Sequence, residues 1–153
     1  MGIHYHPHRL HCLHIESNLS TVFGEDNKGN PLPLIPQTKV NTTLKVEFTG
    51  KGNMRLKNVF VQHIYKFAQK RTGRFEFPSE DYHLINAGGN LIVQISGKSI
   101  VEISAGVRNL LNVSYIDHLS MLKPLGIPNP GINFFLSVKL NTTKYLDVTD
   151  KNK

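Results

Sequence analysis

Cysteine is nearly missing from this chain: Cys12 is the only one. An internal disulfide is therefore impossible, and no paired-thiol metal or redox motif exists. A lone cysteine in a strand pattern reads as a small packed hydrophobe. Long apolar runs are lacking too. No stretch approaches the roughly 18 consecutive apolar residues of a transmembrane helix, so a helical span is excluded. The opening Met1-Gly2-Ile3-His4-Tyr5-His6-Pro7-His8 lacks the basic start and apolar centre of a secretory signal. An exported barrel needs one, so the expectation is a piece of a longer chain, or no export. Catalytic signatures are absent as well. There is no phosphate-cradling glycine loop, no nucleophile elbow and no carboxylate pair at useful spacing, which argues against an enzyme and implies no cofactor.

Acidic residues are in short supply, 11 against 18 Lys and Arg, leaving a formal charge of +7. That invites a nucleic-acid reading. The cations are scattered through turns and loops, however, with no basic run and no aromatic-rich binding motif, so no nucleic-acid partner is expected. The length of 153 residues suits one domain, and 39% apolar content is ordinary.

What the chain does have is two-residue alternation, repeated about six times. In Val40-Asn41-Thr42-Thr43-Leu44-Lys45-Val46-Glu47-Phe48 every even position is apolar or methyl-bearing, and the odd positions are polar or charged. Successive strand side chains point to opposite faces, so this ribbon has one greasy and one wet surface. Similar strands are expected over 10–23, 57–68, 82–93 and 100–111, and around 134–140. Gly88-Gly89 suggests a bend or a close approach of backbones. The connections over 24–39, 69–81 and 112–131 are long, whereas those around 49–53 and 94–98 are short. Outer-membrane barrels carry this asymmetry, with tight periplasmic turns and extended outer loops. A soluble Greek-key sandwich has no reason to alternate so regularly. The expected fold is all-β: an antiparallel meander forming the C-terminal part of a transmembrane β-barrel, an open curved sheet when isolated. A barrel strand turns only alternate residues to lipid, so its hydropathy signal is diluted, which fits the ordinary composition.

Several motifs carry a resemblance. His6-Pro7-His8 followed by Leu13-His14-Ile15-Glu16-Ser17-Asn18 is one, and Leu32-Pro33-Leu34-Ile35-Pro36 and Leu84-Ile85-Asn86-Ala87-Gly88 are others. The stretch from Gly106-Val107-Arg108-Asn109-Leu110-Leu111-Asn112 through Tyr115-Ile116-Asp117-His118-Leu119-Ser120 to Gly126-Ile127-Pro128-Asn129-Pro130-Gly131 completes the set. In that order they resemble the C-terminal end of TonB-dependent outer-membrane receptors, particularly those of Bacteroidetes-type bacteria. The resemblance implies a cell-outer-membrane location and a plugged barrel of which this chain holds about six strands, with neither the plug nor the TonB box. Its implied partners are outer-membrane lipid, the plug and the remaining barrel strands, with TonB engaged only through the missing plug. A whole receptor of this kind takes up a scarce nutrient such as a ferric siderophore, binding it with loops and plug before TonB pulls the plug open. The chain departs from the pattern at Ile132, where the family has Arg, and in the polar residues that follow the last strand. The implied division is 1–9 as a periplasmic turn or truncated start, 10–140 as barrel strands and 141–153 as a polar tail.

Candidate residues follow from the alternation. Glu16, Lys45, Glu47, Lys66, Glu102, Arg108 and Lys139 fall on the wet side and would line the space between wall and plug, mostly as charge-balanced wall residues. His4, His6, His8, His11 and His14 could form a zinc or nickel site on an extended chain. No acid precedes Glu16, and the resembling family has histidines in this turn, so no metal site is assigned. Phe23, Phe48, Tyr65, Phe67 and Phe134 sit near strand ends, as interfacial girdles do, and would equally suit a soluble core. Ile116, Leu119 and Leu122 have helical spacing and predict a short helix in the last loop. The competing identity is a stand-alone soluble β-sheet binding module whose apolar face folds over itself.

Overall fold

The computed structural model describes residues 2–5, 12–96 and 99–142. They form one sheet of seven strands: β1 Gly2–Tyr5, β2 Leu13–Ser20, β3 Lys39–Glu47, β4 Met54–Lys66, β5 Tyr82–Ser96, β6 Ser99–Arg108 and β7 Asn133–Thr142. The strands lie in sequence order and every neighbouring pair is antiparallel. The fold class is thus an all-β meander with open edges at β1 and β7. Two features differ from the sequence reading. Gly2–Tyr5 pairs with Asn18–Ile15 of β2 as a strand that the alternation did not predict. No α-helix forms among the described residues; a single 3₁₀ turn spans Lys123–Leu125. The helical spacing of Ile116, Leu119 and Leu122 is overridden locally. The Asp117 carboxylate accepts the Leu119 amide, Pro124 enters the turn, and Gly126 closes it at φ 66°.

Register carries the alternation across the sheet. Leu13, Val46 and Val59 are aligned on one face, as are Ile15, Leu44 and Val61. Farther along, Leu91, Ile103 and Val138 continue that face, and so do Val107 and Phe134. At Lys57 the register of β4 shifts by a bulge, between Leu56 paired with Leu91 and Asn58 paired with Asn90. The extra residue restores phase, so Leu56 joins Val59 on the apolar face although their spacing is odd.

Among the described residues, this apolar face packs on no second layer. Leu44 is 42% exposed, Val61 47%, Leu136 71% and Val138 63%. Tyr82 is the only buried hydrophobic residue among those described, and it belongs to the opposite face, paired with Lys66. A globular domain of this length would seal such residues in a core. Here a continuous apolar surface spans the sheet instead, far beyond the scattered exposed residues of a soluble monomer.

Candidate functional site

All the wet-side candidates share the other face. Lys45 aligns with Phe60, Phe60 with Gly88, Gly88 with Gly106, and Gly106 with Phe135. Glu16, Glu47, Lys66, Glu102, Arg108 and Lys139 lie at even offsets from that row. Several are paired. Lys45 Nζ meets Glu47 at 2.9 Å, His14 Nε2 lies 3.4 Å from the same carboxylate, and Lys57 Nζ reaches Glu102 at 3.1 Å. Lys66 is tied to Asp117 of the last loop. Arg108 lies over the Phe135 ring, its Cζ 5.3 Å from the centroid. Between these charges runs a ladder of amides: Asn90 Nδ2 donates to Asn58 Oδ1 and Asn86 Nδ2 to Gln62 Oε1, each at 2.8 Å.

Gly88 shows a close approach, and so does Gly106 opposite it on β6. A Cβ on Gly88 would meet the Phe60 ring at 2.9 Å, and one on Gly106 would meet the Phe135 ring at 2.7 Å. The two aromatic rings lie against bare backbone.

At one end of the sheet the three long connections, 21–38, 67–81 and 109–132, pack on one another. Gln37 is buried and joins all three: its Nε2 donates to the Phe67 and Glu80 carbonyls at 2.9 and 3.0 Å, and its Oε1 accepts the His118 amide at 3.3 Å. Glu76 accepts the backbone amides of Leu34 and Gly73 at 2.6 and 2.8 Å. Burial raises this carboxyl, yet those amides outweigh it and hold it below the ordinary range. Asp117 behaves alike: burial raises it, and bonds from Lys66, Tyr82 and the Leu119 amide bring it down. Within the last loop Asn109 is buried at φ 51°, exchanging 2.8 Å bonds with both backbone groups of Val113. Asparagine tolerates that left-handed conformation better than most residues.

One grouping resembles catalytic machinery. Ser79 Oγ and His118 Nδ1 lie 2.9 Å apart, and Lys123 Nζ lies 2.5 Å from the former and 2.9 Å from the latter. A nucleophilic relay needs an acid orienting the other imidazole nitrogen. His118 Nε2 is buried without a partner among the described residues, and Asp117 is engaged by Lys66 and Tyr82. Lys123 also donates to the Phe77 carbonyl, so the group clamps loops together. Burial, then the neighbouring Lys123, lowers the pKa of His118. Sequence reasoning gave Gln37, Ser79, Asn109, Asp117, His118 and Lys123 no structural role; Asn109, Asp117 and His118 stood inside the motifs of the last loop, and no local signal marked Gln37 or Ser79.

Of the metal candidates, His6, His8 and His11 lie outside the described residues, and His14 sits beside Glu47 on the wet face. Among the described residues no three His, Cys, Asp or Glu side chains gather as metal ligands.

No protein-family profile matches the chain, and no curated protein does. Among solved structures, the copper transporter OprC is similar, with a TM-score of 0.71 and 21% identity. The likeness covers 93% of this chain and 23% of that one, so this chain spans under a quarter of the structure it matches. It shows the fold: an all-β antiparallel meander in one open sheet, consistent with a section of a β-barrel.

Proposed function

We propose that the chain forms part of the barrel wall of a TonB-dependent outer-membrane transporter, of the Bacteroidetes type suggested by its motifs. The observation that carries this reading is the uncovered apolar face, with Leu44, Val61, Leu136 and Val138 all substantially exposed. An apolar surface built strand by strand opposite a polar one suits acyl chains on one side and a wet interior on the other. On this reading Glu16, Lys45, Glu47, Lys66, Glu102, Arg108 and Lys139 face the lumen and the plug. The loop cluster at the ends of β2, β4 and β6 lies outside the cell, and the short turns lie in the periplasm. Cargo stays at the level of a scarce nutrient. The resembling family offers a ferric siderophore as its example, and the similar solved structure is a transporter of copper.

A stand-alone soluble module would need its apolar face folded over itself, and the described residues leave that face open. Expression without detergent separates the two readings. The wall reading expects aggregation that detergent relieves. A monodisperse aqueous monomer with cooperative thermal unfolding would overturn it.

A further inference from the structure

A cavity of about 450 Å³ lies between the wet face of β4, β5 and β6 and the last loop. The polarity of its lining is dictated from the backbone. The Asn109 amide donates to Asn86 Oδ1 at 3.0 Å, so the oxygen end of Asn86 is fixed toward that N–H. Asn86 must then present Nδ2 elsewhere, and it donates to Gln62 Oε1 at 2.8 Å. Gln62 Oε1 accepts that bond, and Gln62 Nε2 donates to no acceptor among the described residues. One row farther across, register places Arg108 beside Asn133. Arg108 is backed by the Phe135 ring at 5.3 Å and forms no ion pair among the described residues. No Asp or Glu lines the cavity. Gln62 and Arg108 line it together, with no acid beside them.

We infer that this cavity binds a carboxylate, with the Arg108 guanidinium as a two-pronged anchor and Gln62 Nε2 as a second donor. A planar fork matches a planar carboxylate, which a point charge would not do as well. Arg108 and Gln62 stand two strands apart, about 10 Å at the backbone, a span that suits a polycarboxylate such as citrate. The same chemistry could be supplied by a Glu or Asp side chain of a polypeptide filling the lumen. Placing the cavity on a permeation path rests on the wall reading; the donor arrangement itself does not.

The test is a citrate titration of the full chain in detergent micelles, followed at the ¹⁵N–H signals of Arg108 Nε and Gln62 Nε2. Both signals should move saturably, and the neutral triamide of citrate should move neither. Arg108→Gln should weaken binding by about tenfold or more, the value of a charge-assisted bond. Lys139→Gln, on the same face but outside the cavity, should change it by less than about twofold. Gln62→Leu gives a second variant that keeps the charge, and should weaken citrate measurably if Arg108→Gln fails to fold. Absence of a saturable shift, equal binding of the triamide, or equal loss in Lys139→Gln would each overturn the proposal. A capped peptide with one Glu, shifting the same signals at lower concentration than citrate, would assign the site to a polypeptide side chain. The reverse order would assign it to a free carboxylate. Lipid exposure of the opposite face is measured separately, so either reading can fail while the other stands.

Discussion

Gly106 has no room for a side chain: an added Cβ would lie 2.7 Å from the Phe135 ring. Gly106→Val should therefore destabilise the sheet by about 1–3 kcal/mol, the usual penalty of overpacking, in urea titrations of micelle-refolded protein. Asp117 holds Lys66 and Tyr82 together at the root of the last loop. Asp117→Asn should cost about 1–3 kcal/mol of local stability, read as faster hydrogen exchange of the 109–132 amides, with strand amides less affected. The loop cluster should also loosen in acid. His118 accepts from Lys123 only while neutral, and its folded pKa is depressed by burial and by that lysine. Its contribution is present above the unfolded value of about 6.5 and declines as pH falls through the folded one. Glu76 and Asp117, both held low, add their losses only below about pH 4. Protection factors of the loop amides, with intrinsic exchange corrected for pH, should thus fall first below about pH 6.5, and His118→Gln should remove that first step.

The strands with uninterrupted alternation were legible from sequence. The expected 40–48 became Lys39–Glu47, and 100–111 became Ser99–Arg108. The β4 strand was harder, because the bulge at Lys57 puts Met54 and Leu56 out of phase with Val59 in any simple count. The β1 strand was not legible, since four residues show no period until β2 supplies a partner. The loop cluster was hidden for a different reason. Its bonds join residues far apart in the chain, the His118 amide and Gln37 being 81 positions apart, and no local pattern announces them. At this scale the two faces of β7 should respond oppositely. Val138→Lys, on the apolar face near the strand centre, should impair insertion into lipid vesicles by about 2–4 kcal/mol, while Ser137→Lys on the wet face should be nearly neutral. Equal effects at both positions would mean that the strand does not separate lipid from water.

At the scale of the molecule, the described residues form a sheet with two open edges and one uncovered apolar surface. Unpaired edge strands seek partners, and the strands that would continue this wall are the partners the barrel reading supplies. On the wall reading, cells lacking a receptor and given only these 153 residues should gain no energy-dependent nutrient uptake, and uptake would contradict that reading. The central claim is most directly tested by spin labels placed singly along β6 in a Cys12→Ser background, in lipid vesicles. Oxygen accessibility should be high at Val101, Ile103, Ala105 and Val107 and low at Glu102, Ser104 and Arg108, with a polar relaxant showing the opposite phase. Labels at the apolar positions that neither reagent can reach, in a chain that stays monomeric in water, would contradict it.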